Sequence, residues 1–168
     1  MEFRLANLQD LPQIKNVYKE IIKDMNSKQI EIWDEIYPCE FFEEDIRNNR
    51  LYVLIENDEI VAAAVLCDSN SGEKAVEWKE SDAKALYLDR FGVNVKHSRK
   101  GIGSYMLEQM NATAKMKGAD YLRLFVVDIN KPAIHLYEKN GFTKAEGIYD
   151  EIIDEELTLH EFGYEVEL

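Results

Sequence analysis

The chain is 168 residues long, 46% hydrophobic and 32% charged, with a formal net charge of −13. That length suits one domain, residues 1–168, with a sizeable core, and the composition excludes disordered, fibrous and disulfide-scaffold classes. The charge repels phosphate backbones and anionic lipid, so neither nucleic acid nor a membrane is an expected partner, whereas a cationic amine would be attracted.

Met1 to Leu5 reads as a short opening strand, followed by a turn over Asn7 to Asp10 and a helix from about Leu11 to Met25. Ile14, Val17, Tyr18, Ile21 and Ile22 recur at spacings of three and four, one face of a helix turned to the core. Gln29 to Arg47 is less regular, one or two short helices broken near Pro38, with Trp33, Tyr37, Phe41 and Phe42 among many acids. Leu51 to Glu56 and Glu59 to Asp68 are β-rich runs around Asn57-Asp58, a pair suited to a tight hairpin. After a polar loop, Ser69 to Asp82, a strand is expected from about Ala85 to Val95. A helix from Ile102 to Lys117 carries an apolar stripe, Ile102, Met106, Met110 and Ala114, and stops at Gly118. Tyr121 to Asp128 is nearly all apolar, as in a strand buried on both faces, and Asn130 then caps a helix that Gly141 ends. Phe142 to Glu155 and Thr158 to Leu168 read as two closing strands. This order suggests an α/β (α+β) fold with a mixed, mostly antiparallel sheet of about 6–7 strands and helices on both faces.

The longest apolar run, Ile60 to Cys67, is far short of the roughly 20 residues of a membrane span. The opening residues lack the basic flank and apolar stretch of a secretory signal, so a reducing cytoplasm is expected, with Cys39 and Cys67 as free thiols. Neither has a second Cys or a His at zinc-ligand spacing, and no metal is expected.

The most informative segment is Val93-Asn94-Val95-Lys96-His97-Ser98-Arg99-Lys100-Gly101-Ile102-Gly103-Ser104, where a strand gives way to a basic, glycine-containing loop that opens a helix. Free amides at a helix start, the helix dipole and the glycines' lack of a side chain together make an anion site. The spacing excludes a Walker loop, and a dinucleotide fingerprint would need a third glycine where Met106 stands. In the second segment, Asn130 and Tyr137 lie seven residues apart, close to two helical turns, so both can look along one face.

At these residues the chain resembles the GCN5-related N-acetyltransferase family, and the resemblance covers essentially the whole chain in element order. The family pattern Arg/Gln-x-x-Gly-x-Gly/Ala is met at Gly101 and Gly103, and Asn-x-x-Ala-x-x-x-Tyr-x-x-x-Gly-Phe is met by Asn130, Ala133, Tyr137, Gly141 and Phe142. The Arg/Gln position holds Ser98, with Arg99 one place later. The resemblance implies a splayed pair of central strands with acetyl-coenzyme A between them. Val93, Asn94 and Val95 would lie along the pantetheine, with main-chain hydrogen bonds from the two valines. Arg99, Lys100, Gly101, Ile102, Gly103 and Ser104 would hold the pyrophosphate. Asn130 would contact the pantetheine arm, and Tyr137 would reach the sulfur as the proton donor.

The implied activity is direct acetyl transfer to a primary amine through a tetrahedral intermediate. Asp89, Glu77 and Asp128 are candidate bases, each also readable as a structural or solvated carboxylate. The acceptor side would fall on the variable stretch Met25 to Arg47, with Trp33 and Tyr37 on one helical face and Glu31, Asp34 or Glu35 supplying negative charge, and Asp89 is a further candidate substrate contact. Two rival readings are a non-catalytic acetyl-coenzyme A sensor and an enzyme acting on charged tRNA, the latter opposed by the charge. Exposed closing strands would offer edges for pairing in a homodimer.

Overall fold

A computed structural model describes all 168 residues. It contains strands β1 (Glu2–Leu5), β2 (Leu51–Glu56), β3 (Glu59–Cys67), β4 (Ala85–Val93), β5 (Tyr121–Val127), β6 (Thr143–Lys144), β7 (Tyr149–Ile152) and β8 (Thr158–Glu167). The helices are α1 (Leu11–Ser27), α2 (Phe42–Arg47), α3 (Ile102–Met116) and α4 (Lys131–Lys139), with short 3-10 turns at Leu8–Asp10, Cys39–Phe41 and Val95–His97. The sheet has eight strands in the order β1-β2-β3-β4-β5-β8-β6, with β7 pairing β8. It is mostly antiparallel; β4 and β5 are parallel. The chain packs as two compact units, Met1–Leu66 with Arg90–Gln109, and Cys67–Asp89 with Met110–Leu168.

In the first unit β1, β2 and β3 form an antiparallel meander. The β2–β3 hairpin closes through Asn57 and Asp58, both left-handed (φ 51° and 63°), the geometry in which a two-residue turn follows the strand twist. β3 is buried along nearly its whole length, including Ala62, Ala63 and Ala64. Asn7 caps the turn before α1 by a reciprocal capping box with Asp10. The expected face of α1 is the buried one: Ile14, Val17, Tyr18, Ile21 and Ile22.

In the second unit the first part of β4, Ala85 to Leu88, pairs with Tyr121 to Leu124 of β5. β5 also pairs with β8 along its full length. β5 is apolar but for Arg123, which is buried at 2% exposure. Its in-register partner on β8 is Glu165, the guanidinium also lies over Trp78, and Nη2 donates to the Glu80 carbonyl at 2.7 Å. A charge in that place survives because both members of the pair are hydrogen-bonded.

Three boundaries differ from the sequence reading. Phe142 to Glu155 is not one strand: Gly147, left-handed at φ 101°, separates β6 from β7. β4 ends at Val93, because Asn94 caps a 3-10 turn and takes Val95 out of the extended conformation. The stretch around Trp33 and Tyr37 is irregular, so the two rings do not share a helical face. Asp34 instead closes a turn there, accepting from the amides of Ile36 and Tyr37 at 2.8 Å each. No helix is long and apolar enough to cross a membrane.

Candidate active site

The basic loop lies in the first unit. Asn94 is buried and fastens its root: the amide donates to Val61 (2.9 Å), the carboxamide nitrogen to Ile60 (3.0 Å), and the carboxamide oxygen accepts from Lys96 (3.1 Å). His97 continues the anchorage, with Nε2 3.0 Å from Glu59 and the ring largely buried rather than on the surface. The glutamate is held below its ordinary value chiefly by that contact. Beyond the anchor, Ser98, Arg99, Lys100 and Gly101 are all exposed. Arg99 and Gly101 are left-handed (φ 62° and 77°), so the chain curls before entering α3. The Gly101 carbonyl accepts from Tyr105 at 3.0 Å, which makes Gly101 the residue from which the helix starts. A side chain built on Gly101 would meet nothing within 4 Å. The start of α3 therefore offers an open approach to main-chain amides, flanked by two cations.

Asn130, Tyr137 and Asp89 lie in the second unit. The Asn130 side chain caps α4, accepting from Ala133 at 3.3 Å. Tyr137 is 7% exposed, with its ring 5.8 Å from Phe142, and the Tyr137 carbonyl accepts from Phe142 at 3.1 Å as the helix ends. Burial, then the charge of Asp89, pushes its hydroxyl well above the ordinary tyrosine value. It therefore keeps its proton across the physiological range and can only be a donor or a neutral partner there.

The sequence reading passed over a second acid near Asp89. Glu161 on β8 stands opposite Val127 and Tyr149. Its Oε2 is shielded from solvent and meets no donor. Burial, a hydrogen bond with Glu151, and the charges of Glu151 and Asp89 push this carboxyl up to about 9. Between the ordinary carboxylate value and about 9 the folded chain holds a proton that the unfolded chain releases, so this group's contribution to stability falls as pH rises through that window. Glu161→Gln should therefore melt progressively higher than the parent between pH 6 and pH 9, reaching a gain of about 3 °C at the alkaline end. A melting difference that stays flat with pH would show that Glu161 ionises normally.

Trp33 stacks on Tyr18 at 5.6 Å and Tyr37 meets Phe41 edge-on at 5.6 Å, both within the first unit. Asp45, also unremarked in the sequence, is fully buried there between Arg50 and Arg90.

The family model for the acetyltransferase (GNAT) family matches residues 15–142. The Bacillus subtilis protein YwnH, provisionally named a phosphinothricin acetyltransferase, is 28% identical over 145 residues, covering 86% of this chain and 85% of its own. A Bos taurus thialysine N-epsilon-acetyltransferase is 37% identical over 73 residues, 42% of this chain and 41% of that protein. A GNAT-family acetyltransferase from Streptococcus agalactiae has the same fold, with a TM-score of 0.82 over 99% of this chain and 95% of its own at 19% identity. With the family pattern met at both glycines of the loop and from Asn130 to Phe142, and with that match running through most of its length, the chain belongs to the GNAT family of acetyltransferases.

Proposed function

We propose that the protein transfers the acetyl group of acetyl-coenzyme A to a primary amine by direct attack. The observation that carries this reading is the opening of α3: an exposed, left-handed Gly101 with clear space before it, amides at a helix start, and Arg99 and Lys100 alongside. These suit a pyrophosphate. Val93, the last extended residue of β4, is the candidate main-chain partner of the pantetheine. Val95, drawn into the 3-10 turn, is less suited to that task, and Asn94 serves the loop's anchorage.

In the reaction the amine nitrogen adds to the thioester carbonyl carbon, the carbon–sulfur bond breaks, and a proton moves from nitrogen to the departing sulfur. Tyr137, which retains its proton, is assigned the hydrogen bond or proton given to that sulfur. Asp89 is the candidate acceptor of the amine's proton, directly or through water. A cationic acceptor is favoured by the net charge of −13.

The test is free-thiol release from acetyl-coenzyme A against a panel of polyamines, amino acids, aminoglycosides and peptide N-termini. Phosphinothricin and thialysine join the panel because the relatives bear those names. Amine-dependent thiol release is expected. Tight coenzyme binding with no release for any amine would favour the sensor reading.

A further inference from the structure

Within β4, Arg90 is a non-glycine residue held left-handed (φ 48°), a conformation that L-residues rarely adopt. Such a backbone persists only where its surroundings over-determine it. The surroundings here are drawn from α1 and from the segment expected to recognise the acceptor. The Tyr18 hydroxyl is shared between the carbonyls of Arg90 and Ala63. On the side-chain side, Arg90 Nε and Nη2 donate to the two oxygens of Asp45, both at 2.8 Å, and the guanidinium lies 5.2 Å over Phe41. The aromatics named for the acceptor side join the same point. Trp33 stacks on Tyr18, which also meets Phe42 edge-on at 4.6 Å, and Tyr37 meets Phe41. Trp33 and Tyr37 thus each reach Arg90 through a single intervening ring, one at its carbonyl and the other at its guanidinium.

The geometry points to Arg90 as a positioning residue that sets the acceptor-side segment, Trp33 to Ile46, in register with the coenzyme-side end of β4, Phe91 to Val93. This inference rests on the transferase reading. A lysine could supply the charge but not the planar two-point hold on Asp45. Asp45 is not stranded when Arg90 changes, because Arg50 Nε also donates to its Oδ1 at 2.7 Å. Arg90→Gln should for that reason fold.

The experiment is steady-state kinetics with the amine the parent acetylates best, with circular dichroism to verify folding. Arg90→Gln should raise the Michaelis constant for the amine about tenfold or more while that for acetyl-coenzyme A moves less than about twofold. Arg90→Lys should fall between Gln and the parent. Asp45→Asn combined with Arg90→Gln should cost no more than the larger single change, since both remove one contact. Tyr18→Phe, which keeps the ring and loses only the hydroxyl, should show the same split in smaller measure and serves if Arg90→Gln does not fold. Equal shifts in both constants, or no shift in either, would overturn the assignment. A parent that releases no thiol with any amine contradicts the transferase reading and removes this role with it.

Discussion

Tyr137→Phe should lower turnover by roughly tenfold to several hundredfold and leave the affinity for acetyl-coenzyme A nearly unchanged. The ring is 7% exposed and packed near Phe142, and phenylalanine keeps all of that packing. What is lost is one hydroxyl, held protonated by burial and by the charge of Asp89. The hydroxyl therefore stays protonated at neutral pH and can donate a hydrogen bond to the sulfur as the carbon–sulfur bond breaks. A coenzyme thiol is not a very poor leaving group, which keeps the expected effect in the lower part of the usual range for general acids. Because the help is given as the bond breaks, the loss should lie in turnover rather than in binding. A Tyr137→Phe enzyme that turns over like the parent at every pH would remove the hydroxyl from the mechanism and leave water or the amine's own proton in its place.

Gly101→Asp should reduce acetyl-coenzyme A affinity by at least about a hundredfold in a protein that still folds. The fold is expected to tolerate the change for two reasons. Aspartate is among the residues that accept the left-handed region, and a Cβ at this place meets nothing within 4 Å. The added carboxylate instead occupies the open approach to α3, where it excludes and repels a phosphate. Gly101→Asn, of the same shape without the charge, should lose less. Calorimetric titration separates the two contributions. Parent-like affinity in folded Gly101→Asp would place the pyrophosphate elsewhere.

Much of this was legible in the sequence because local rules and tertiary packing agree. The α1 face, the Asn57-Asp58 hairpin, the Asn130 cap and the stop at Gly141 are each set by residues within a few positions, and the structure has all of them. The failures occur where side chains interrupt a strand or replace a helix. Asn94 ended β4 early because its carboxamide offers Lys96 a turn partner while its nitrogen is drawn to Ile60. Asp34 did the same to the expected helical face of Trp33 and Tyr37.

The buried charges were harder to see, though not all were silent. Phe42, Asp45 and Ile46 stand at the spacing of one helical face, and all are buried, so Asp45 lay on the apolar side of α2 from the start. Arg123, alone in an apolar strand, asked for a partner, and Glu165 supplies it in register. Glu161 gave no such signal. Its perturbation depends on Glu151 across the β7–β8 pairing and on Asp89 of β4, a coincidence of three strands that no local spacing encodes.

The most direct measurement follows a labelled acetyl carbon from acetyl-coenzyme A in the presence of an amine from the panel. Direct acetyl transfer requires that the label become covalently attached to the amine nitrogen, one for each thiol released, and that Gly101→Asp and Tyr137→Phe slow the appearance of both products together. Coenzyme binding without label on any amine, or thiol release that proceeds equally well without an amine, would contradict it.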